Sequence, residues 1–212
     1  MNIQHRFLAL FFLLSPAIAT AQDSALLDNP IDPELLITIN DCESCHGKNG
    51  VSTDPTTPTI AGYSAFYMEN ALILLQARGR PCPPVTYPRG PKAGKQTTMC
   101  KAVATLDDYS LSELATYFSE KIFKPAVQTF EPSQVAKGKS LHEKHCQDCH
   151  DDGATAGTDS GFLAGQWTPV LRAQLNAFAA GKRPMDADMK IKTNGLKAEE
   201  VTALLHFYAS FQ

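Results

Sequence analysis

Two stretches of the chain space their apolar residues at helical intervals, and they do so in the same way. Leu111, Leu114, Ala115 and Phe118 fall at i, i+3, i+4 and i+7, as do Val201, Leu204, Leu205 and Tyr208. Such spacing lines each set along one stripe of an α-helix, ready to pack on a core. Asp107, or Ser110 with Glu113 in capping-box spacing, supplies a start for the first helix. The register between the two segments is constant: Leu106 aligns with Leu196, Leu111 with Val201, Leu114 with Leu204, Tyr117 with Phe207. Further upstream, Pro33 to Asn40 and Ser133 to Lys144 read as helices. Ile60-Ala61-Gly62 matches Leu163-Ala164-Gly165. An amphipathic helix follows in each half and closes on Arg78-Gly79-Arg80-Pro81 or Gly181-Lys182-Arg183-Pro184. The pattern predicts an all-α chain built as an internal repeat.

The first residues stand apart from this repeat. Met1 to Arg6 carries positive charge, Phe7 to Leu14 is an apolar run too short to span a bilayer, and Ala19-Thr20-Ala21 is a small-residue cleavage site. Residues 1–21 read as a secretory signal cut after Ala21, with an uncleaved anchor as the alternative. No later stretch is apolar enough to cross a membrane, so the mature chain is expected to be periplasmic and not integral to the membrane. The formal charge of the whole chain is −3, and loss of Arg6 with the signal makes it more acidic. Nucleic-acid binding, which favours concentrated positive charge, is not expected.

Six cysteines in an exported chain would ordinarily read as disulfides. Four of them instead form two C-x-x-C pairs, each followed at once by histidine: Cys42, Cys45 and His46, then Cys146, Cys149 and His150. This is the attachment signature of haem c. Cysteines three apart share one side of a helical turn, so both sulfurs reach the two vinyl groups on one porphyrin edge. The histidine beside them offers its imidazole to the iron. Zinc and a redox dithiol are the competing uses of a C-x-x-C pair; two such motifs in matching flanks favour two covalent haems. The constant shift of the repeat also takes Met99 onto Met189, which makes these thioethers the candidate second ligands. Met185 competes with Met189 in the second half. Met68, inside an apolar helix, reads as core. His142 and His145 are expected to be solvated, and His206 to lie on a polar face without a partner. Trp167 reads as a packing residue.

The paired motifs, the Ala-Gly turns and the methionine-then-helix endings resemble the tandem class I dihaem cytochromes c. The resemblance implies two class I cytochrome domains, each wrapped on one haem: residues 22–121, a linker over 122–132, and residues 133–212. The linker, with Ile122, Phe123, Val127 and Phe130, is apolar enough to pack between the domains. With both axial positions filled by the chain, neither iron has room for substrate, so electron transfer is expected rather than catalysis. Within the second half, the runs LHEKHC over 141–146, LAGQWTP over 163–169, KRPM over 182–185 and FYAS over 207–210 look like the cytochrome subunit of flavocytochrome c sulfide dehydrogenase. So does FKPAVQTF over 123–130. That likeness implies a partner flavoprotein (FAD) that oxidises sulfide, and a downstream acceptor such as a small cytochrome. The alternatives are a free dihaem shuttle to a terminal oxidase or reductase, and a sulfur-oxidising haem enzyme.

Two features depart from the class I pattern. A proline after the motif ordinarily turns a backbone carbonyl toward the proximal imidazole. Pro58 takes that place in the first half, whereas Gly161 stands there in the second, leaving Ser160 or Gly161 to supply the acceptor. Unequal surroundings of this kind imply unequal potentials. The second departure is the segment from Arg78 to Lys101, which holds Arg78, Arg80, Arg89, Lys92, Lys95 and Lys101 with no acidic residue. It reads either as a docking surface for an acidic redox partner or as a solvated loop. Outside the cytoplasm its two cysteines, Cys82 and Cys100, are expected to bond to each other and to brace Met99, stabilising the loop by about 3 kcal/mol. The alternative, similar to some dihaem thiosulfate-oxidising enzymes, gives Cys100 itself to the iron or to a sulfur intermediate.

Overall fold

The first helix, α1 (Pro33–His46), starts where Asp32 accepts hydrogen bonds from the backbone of Glu34 and Leu35 and where proline suits the first turn. It ends at Gly47, whose φ of +83° and whose contact with Val51 leave no room for a Cβ. The computed structural model describes residues 31–150 and 160–212. The signal-like segment through Ala21 and residues 22–30 lie outside the described residues. Asp32–Gln212 forms one compact unit, and none of its described helices is long and apolar enough to cross a membrane.

After a 3-10 turn at Lys48–Gly50 come α2 (Ala65–Gln76), a two-stranded antiparallel ribbon, α3 (Met99–Ala102) and α4 (Asp108–Ser119). The ribbon pairs β1 (Val85–Thr86) with β2 (Gln96–Thr97), with Val85 opposite Thr97. It belongs to the basic Arg78–Lys101 segment and holds the only strands among the described residues. The second half follows with α5 (Pro132–His145), α6 (Thr168–Ala179), α7 (Ala187–Thr193) and α8 (Ala198–Ala209). Caps start several of these helices: Ser64 for α2, Thr98 for α3, Asp107 for α4 and Asp186 for α7. The Asp107 cap excludes Ser110 as the start of α4.

Each half has its own small core. In the first, Ile39, Tyr63, Met68, Leu114, Ala115 and Phe118 meet. In the second, Ala164, Leu171, Leu204, Leu205, Phe207 and Tyr208 do so. Half of each set comes from the stripes read off the chain, Leu114, Ala115 and Phe118 in the first and Leu204, Leu205 and Tyr208 in the second, and neither core is large. A third cluster of Leu75, Cys100 and Val103, with Met99 and Cys82 against it, lies under the basic segment.

Three expectations are corrected. His142 is not solvated but buried, 2% exposed. Gly138 lies one turn earlier on the same face, and a Cβ there would stand 2.1 Å from the Ala203 carbonyl oxygen. The missing side chain lets α5 press onto α8, and the His142 ring is carried against Phe207 and Tyr208, with Nδ1 3.2 Å from the Tyr208 hydroxyl. His206 has a partner, since its Nδ1 accepts the backbone N–H of Glu131 at 3.1 Å. The linker docks through only some of its residues. Phe123 stacks on Phe162 at 4.3 Å and the Ala126 N–H donates to the Gly165 carbonyl, whereas Ile122 and Val127 are about four-fifths exposed.

Burial holds the His142 pKa below the usual 6.5, because the imidazolium would lose its hydration. The folded chain therefore binds fewer protons at this site than the unfolded one. The stability it contributes is complete above pH 6.5 and is lost as pH falls through the folded value. Denaturant midpoints of wild type and His142→Phe, compared at pH 7.5 and 5.5, should show a steeper loss in the wild type.

Candidate haem sites

Four cysteines, Cys42, Cys45, Cys146 and Cys149, take part in no disulfide. Burial pushes the Cys42 thiol up to about 12, with Asp41 and Cys45 adding to it, and burial also raises Cys45. A redox dithiol or a zinc thiolate needs the opposite shift. Among the described residues, no group of three or more His, Cys, Asp and Glu side chains is arranged around a metal position.

The first motif lies wholly inside α1, which sets Cys42 and Cys45 one helical turn apart. His46 follows, 6% exposed, and its Nδ1 donates to the Pro58 carbonyl at 2.8 Å. Burial lowers the His46 pKa, so the ring is neutral near pH 7. A carbonyl can only accept, so the proton is on Nδ1 and the lone pair on Nε2. That is the form a ring nitrogen must take to bind iron. The residues present therefore fit a covalent haem: two thiols of one turn and an imidazole with a directed lone pair.

Glu43, inside the motif, is a residue that sequence reasoning missed. It is buried, and its carboxylate accepts from Asn49 N at 2.9 Å, Lys48 Nζ at 3.1 Å and Tyr117 Oη at 3.4 Å. These bonds close the turn behind His46. Its only mark in the chain is Lys48 five residues on, a weak signal.

The second motif is shaped differently. Helix α5 stops at His145, and Cys146 to His150 continue as a turn. Helix-like bonds persist, since the backbone N–H groups of Cys149 and His150 both donate to the Cys146 carbonyl, at 3.2 and 2.9 Å. Gln147 replaces the anchoring Glu43. Cys149 is exposed and His150 half-buried. Ser160 Oγ donates to the Cys149 carbonyl at 3.1 Å.

The methionine-bearing segments are tied back to the motifs in both halves. Lys92 forms an ion pair with Asp41, and Arg89 Nε donates to the Ser44 carbonyl at 3.1 Å, fastening the basic ribbon to the first motif. The ribbon leads to Met99, which opens α3 and packs beside Cys100. Cys82 and Cys100 are bonded, with Cα atoms 5.7 Å apart. In that state Cys100 has no thiolate to offer. In the second half, Lys192 on α7 pairs with Asp148 at 2.7 Å, and α7 carries Met189. Met185 and Met189 are both half-buried. The Thr193 hydroxyl contacts Met185 Sδ at 3.5 Å and donates to the Met189 carbonyl at 2.8 Å.

A seam joins the two halves. Tyr63 and Gln166 are equivalent in the repeat, each following an Ala-Gly turn. Gln166 is 1% exposed. Its Oε1 accepts the Thr59 N–H at 3.0 Å, and its Nε2 donates to the Thr59 carbonyl at 2.8 Å and to Tyr63 Oη at 2.9 Å. Trp167, read as packing, also donates from Nε1 to the Ser52 carbonyl at 3.2 Å. Thr59 adjoins Pro58, so the second half grips the segment that carries the His46 acceptor. In the other direction, Gly161 sits where a Cβ would come within 2.8 Å of Tyr67 Oη. Glycine replaces proline there because the first half's tyrosines occupy the space.

Comparison with known proteins supports this geometry. The family described as cytochrome c oxidase, cbb3-type, subunit III matches residues 133–207. Cytochrome c4 of Azotobacter vinelandii is 28% identical over 163 residues, covering 71% of this chain and 73% of the relative. The crystal structure of cytochrome c4 from Pseudomonas stutzeri superposes with a TM-score of 0.66 at 22% identity, over 84% of this chain and 98% of that one. Thiosulfate dehydrogenase (TsdBA) from Marichromatium purpuratum matches with a TM-score of 0.62 at 26% identity, over 80% of this chain but 36% of that one. The chain has the two-domain class I cytochrome c fold and carries two covalently bound haem c groups. Its relatives at 28% identity over 71% of the chain are cytochromes c4.

Gln166→Leu leaves the buried Thr59 N–H and carbonyl without partners. It should lower stability by about 3 kcal/mol in chemical denaturation of the holoprotein. Gln128→Leu, at a more exposed contact of the same face, should cost less.

Proposed function

We propose that the chain is a two-haem electron relay, with residues 22–121 and 133–212 as its two haem units. Cys42, Cys45, Cys146 and Cys149 supply the thioethers. His46 with Met99 and His150 with Met189 supply the axial ligands. The observation that carries this reading is the His46 Nδ1 bond to Pro58, which directs the ring's other nitrogen as a ligand. Bound haem supplies a one-electron iron couple. The chain's own side chains fill both coordination positions, exclude substrate, and hold the ligands through the Asp41–Lys92 and Asp148–Lys192 ties. Met189 is preferred to Met185 because it keeps the repeat register with Met99, and because the Met185 sulfur meets the Thr193 hydroxyl.

The donor we propose is a flavoprotein that oxidises sulfide, on the likeness of segments 123–130, 141–146 and 163–169 to the cytochrome subunit of such enzymes. The similarity to cytochrome c4 across 71% of the chain favours a second reading, a free carrier that passes electrons to a terminal oxidase or reductase. Catalysis at Cys100 is disfavoured by its bond to Cys82. Isolation from the native source, with flavin and haem quantified in the same particle, separates the first two. A flavin-bearing chain in fixed ratio to haem identifies the subunit, and a haem-only monomer identifies the carrier.

The ligand assignment has its own test. Met99→Ala and Met189→Ala should each abolish the methionine-to-iron charge-transfer band of one haem and lower that haem's potential. Met185→Ala should leave both bands in place.

A further inference from the structure

Arg80 and Arg183 stand at equivalent places in the repeat, each just before a proline. The structure brings both guanidinium groups to a single acceptor. Arg80 Nη2 donates to Gln174 Oε1 at 2.9 Å, and Arg183 Nη1 donates to the same oxygen at 2.7 Å. Arg183 also reaches Tyr67 Oη at 3.5 Å and lies 4.4 Å from the centre of the Phe178 ring. Its Nε is buried with no hydrogen-bond partner. Neither arginine belongs to any ion pair among the described residues. Burial, followed by repulsion from Arg183, pulls the Arg80 pKa down to about 10.

Two partly buried like charges sharing one neutral oxygen form an unbalanced arrangement. Desolvated cations need a counter-charge, and a guanidinium fork matches a carboxylate in shape. The described acidic side chains do not supply one here. The chain carries other carboxylates, however. Each covalent haem brings two propionates, held to the protein by the thioethers.

We propose that Arg80 and Arg183 are the anchor for haem propionate carboxylates at the seam between the two halves, with Gln174 and Tyr67 positioning the guanidiniums. This rests on the two-haem reading above. The pair then acts on both haem groups together. Its positive charge favours the reduced iron, and Gln174 joins an arginine of each half into one electrostatic unit. Because Tyr67 also packs against Gly161, the anchor adjoins the segment expected to serve His150.

The test uses the holoprotein with Arg183→Gln and Arg183→Lys. With two haems loaded and both methionine-to-iron bands present, the glutamine variant should make reduction of at least one haem about tenfold less favourable, or 59 mV for one electron. Lysine keeps the charge and should restore most of that loss. Carboxylate bands in the redox-induced infrared difference spectrum should shift in the glutamine variant. Unchanged potentials and bands would overturn the proposal, as would equal losses in both variants, which mark packing alone. A potential that follows added sulfate, with carboxylate bands unmoved, would assign the pair to a free anion and also overturn it. If Arg183→Gln fails to take up haem, Arg80→Gln carries the same expectations. A wild-type chain without two haems would refute the haem reading itself, an outcome distinct from all of these.

Discussion

The hydrogen bond from His46 Nδ1 to the Pro58 carbonyl is the constraint on which the rest of the site depends. It fixes the tautomer, and with it the nitrogen that can face a metal. The bond holds only if two segments twelve residues apart are both rigid. One side is secured by α1, which carries the motif intact to Gly47, and by Glu43, whose carboxylate gathers Asn49, Lys48 and Tyr117. The other side is secured from outside the half altogether. Gln166 pairs with both backbone groups of Thr59, as a neighbouring strand would.

The two halves are therefore more than beads on a chain. Repeat-equivalent residues, Tyr63 and Gln166, bond to each other across the seam, and each half shapes the acceptor segment of the other. The equivalence is imperfect, and the imperfections are chemical. Glu43 becomes Gln147, Pro58 becomes Gly161, and a helix becomes a turn at the second motif. Two irons held by the proposed ligands would then sit in unlike surroundings, the condition under which a relay has a direction.

The motifs, the repeat and the core stripes were legible in the chain because they are local. Period 3.6 marks Leu111 to Phe118, and C-x-x-C-H is read in five residues. Pro58 was also legible, from its place after the motif. Contacts made across long separations were not. Gln166 lies 107 residues from Thr59, and nothing in a lone Gln between glycine and tryptophan announces a buried amide clamp. His142 was misread because its burial depends on Gly138, whose meaning appears only when α8 is set against it. The exposure of Ile122 and Val127 shows the same limit, since apolar composition does not say which residues of an extended linker face inward.

The central claim is that each iron is closed on both sides by side chains of this protein. Addition of carbon monoxide to the fully reduced, folded holoprotein tests it directly. The account predicts that the absorption spectrum stays unchanged, because His and Met already occupy every axial position. Conversion of both haems to the carbonyl form under those conditions would contradict it.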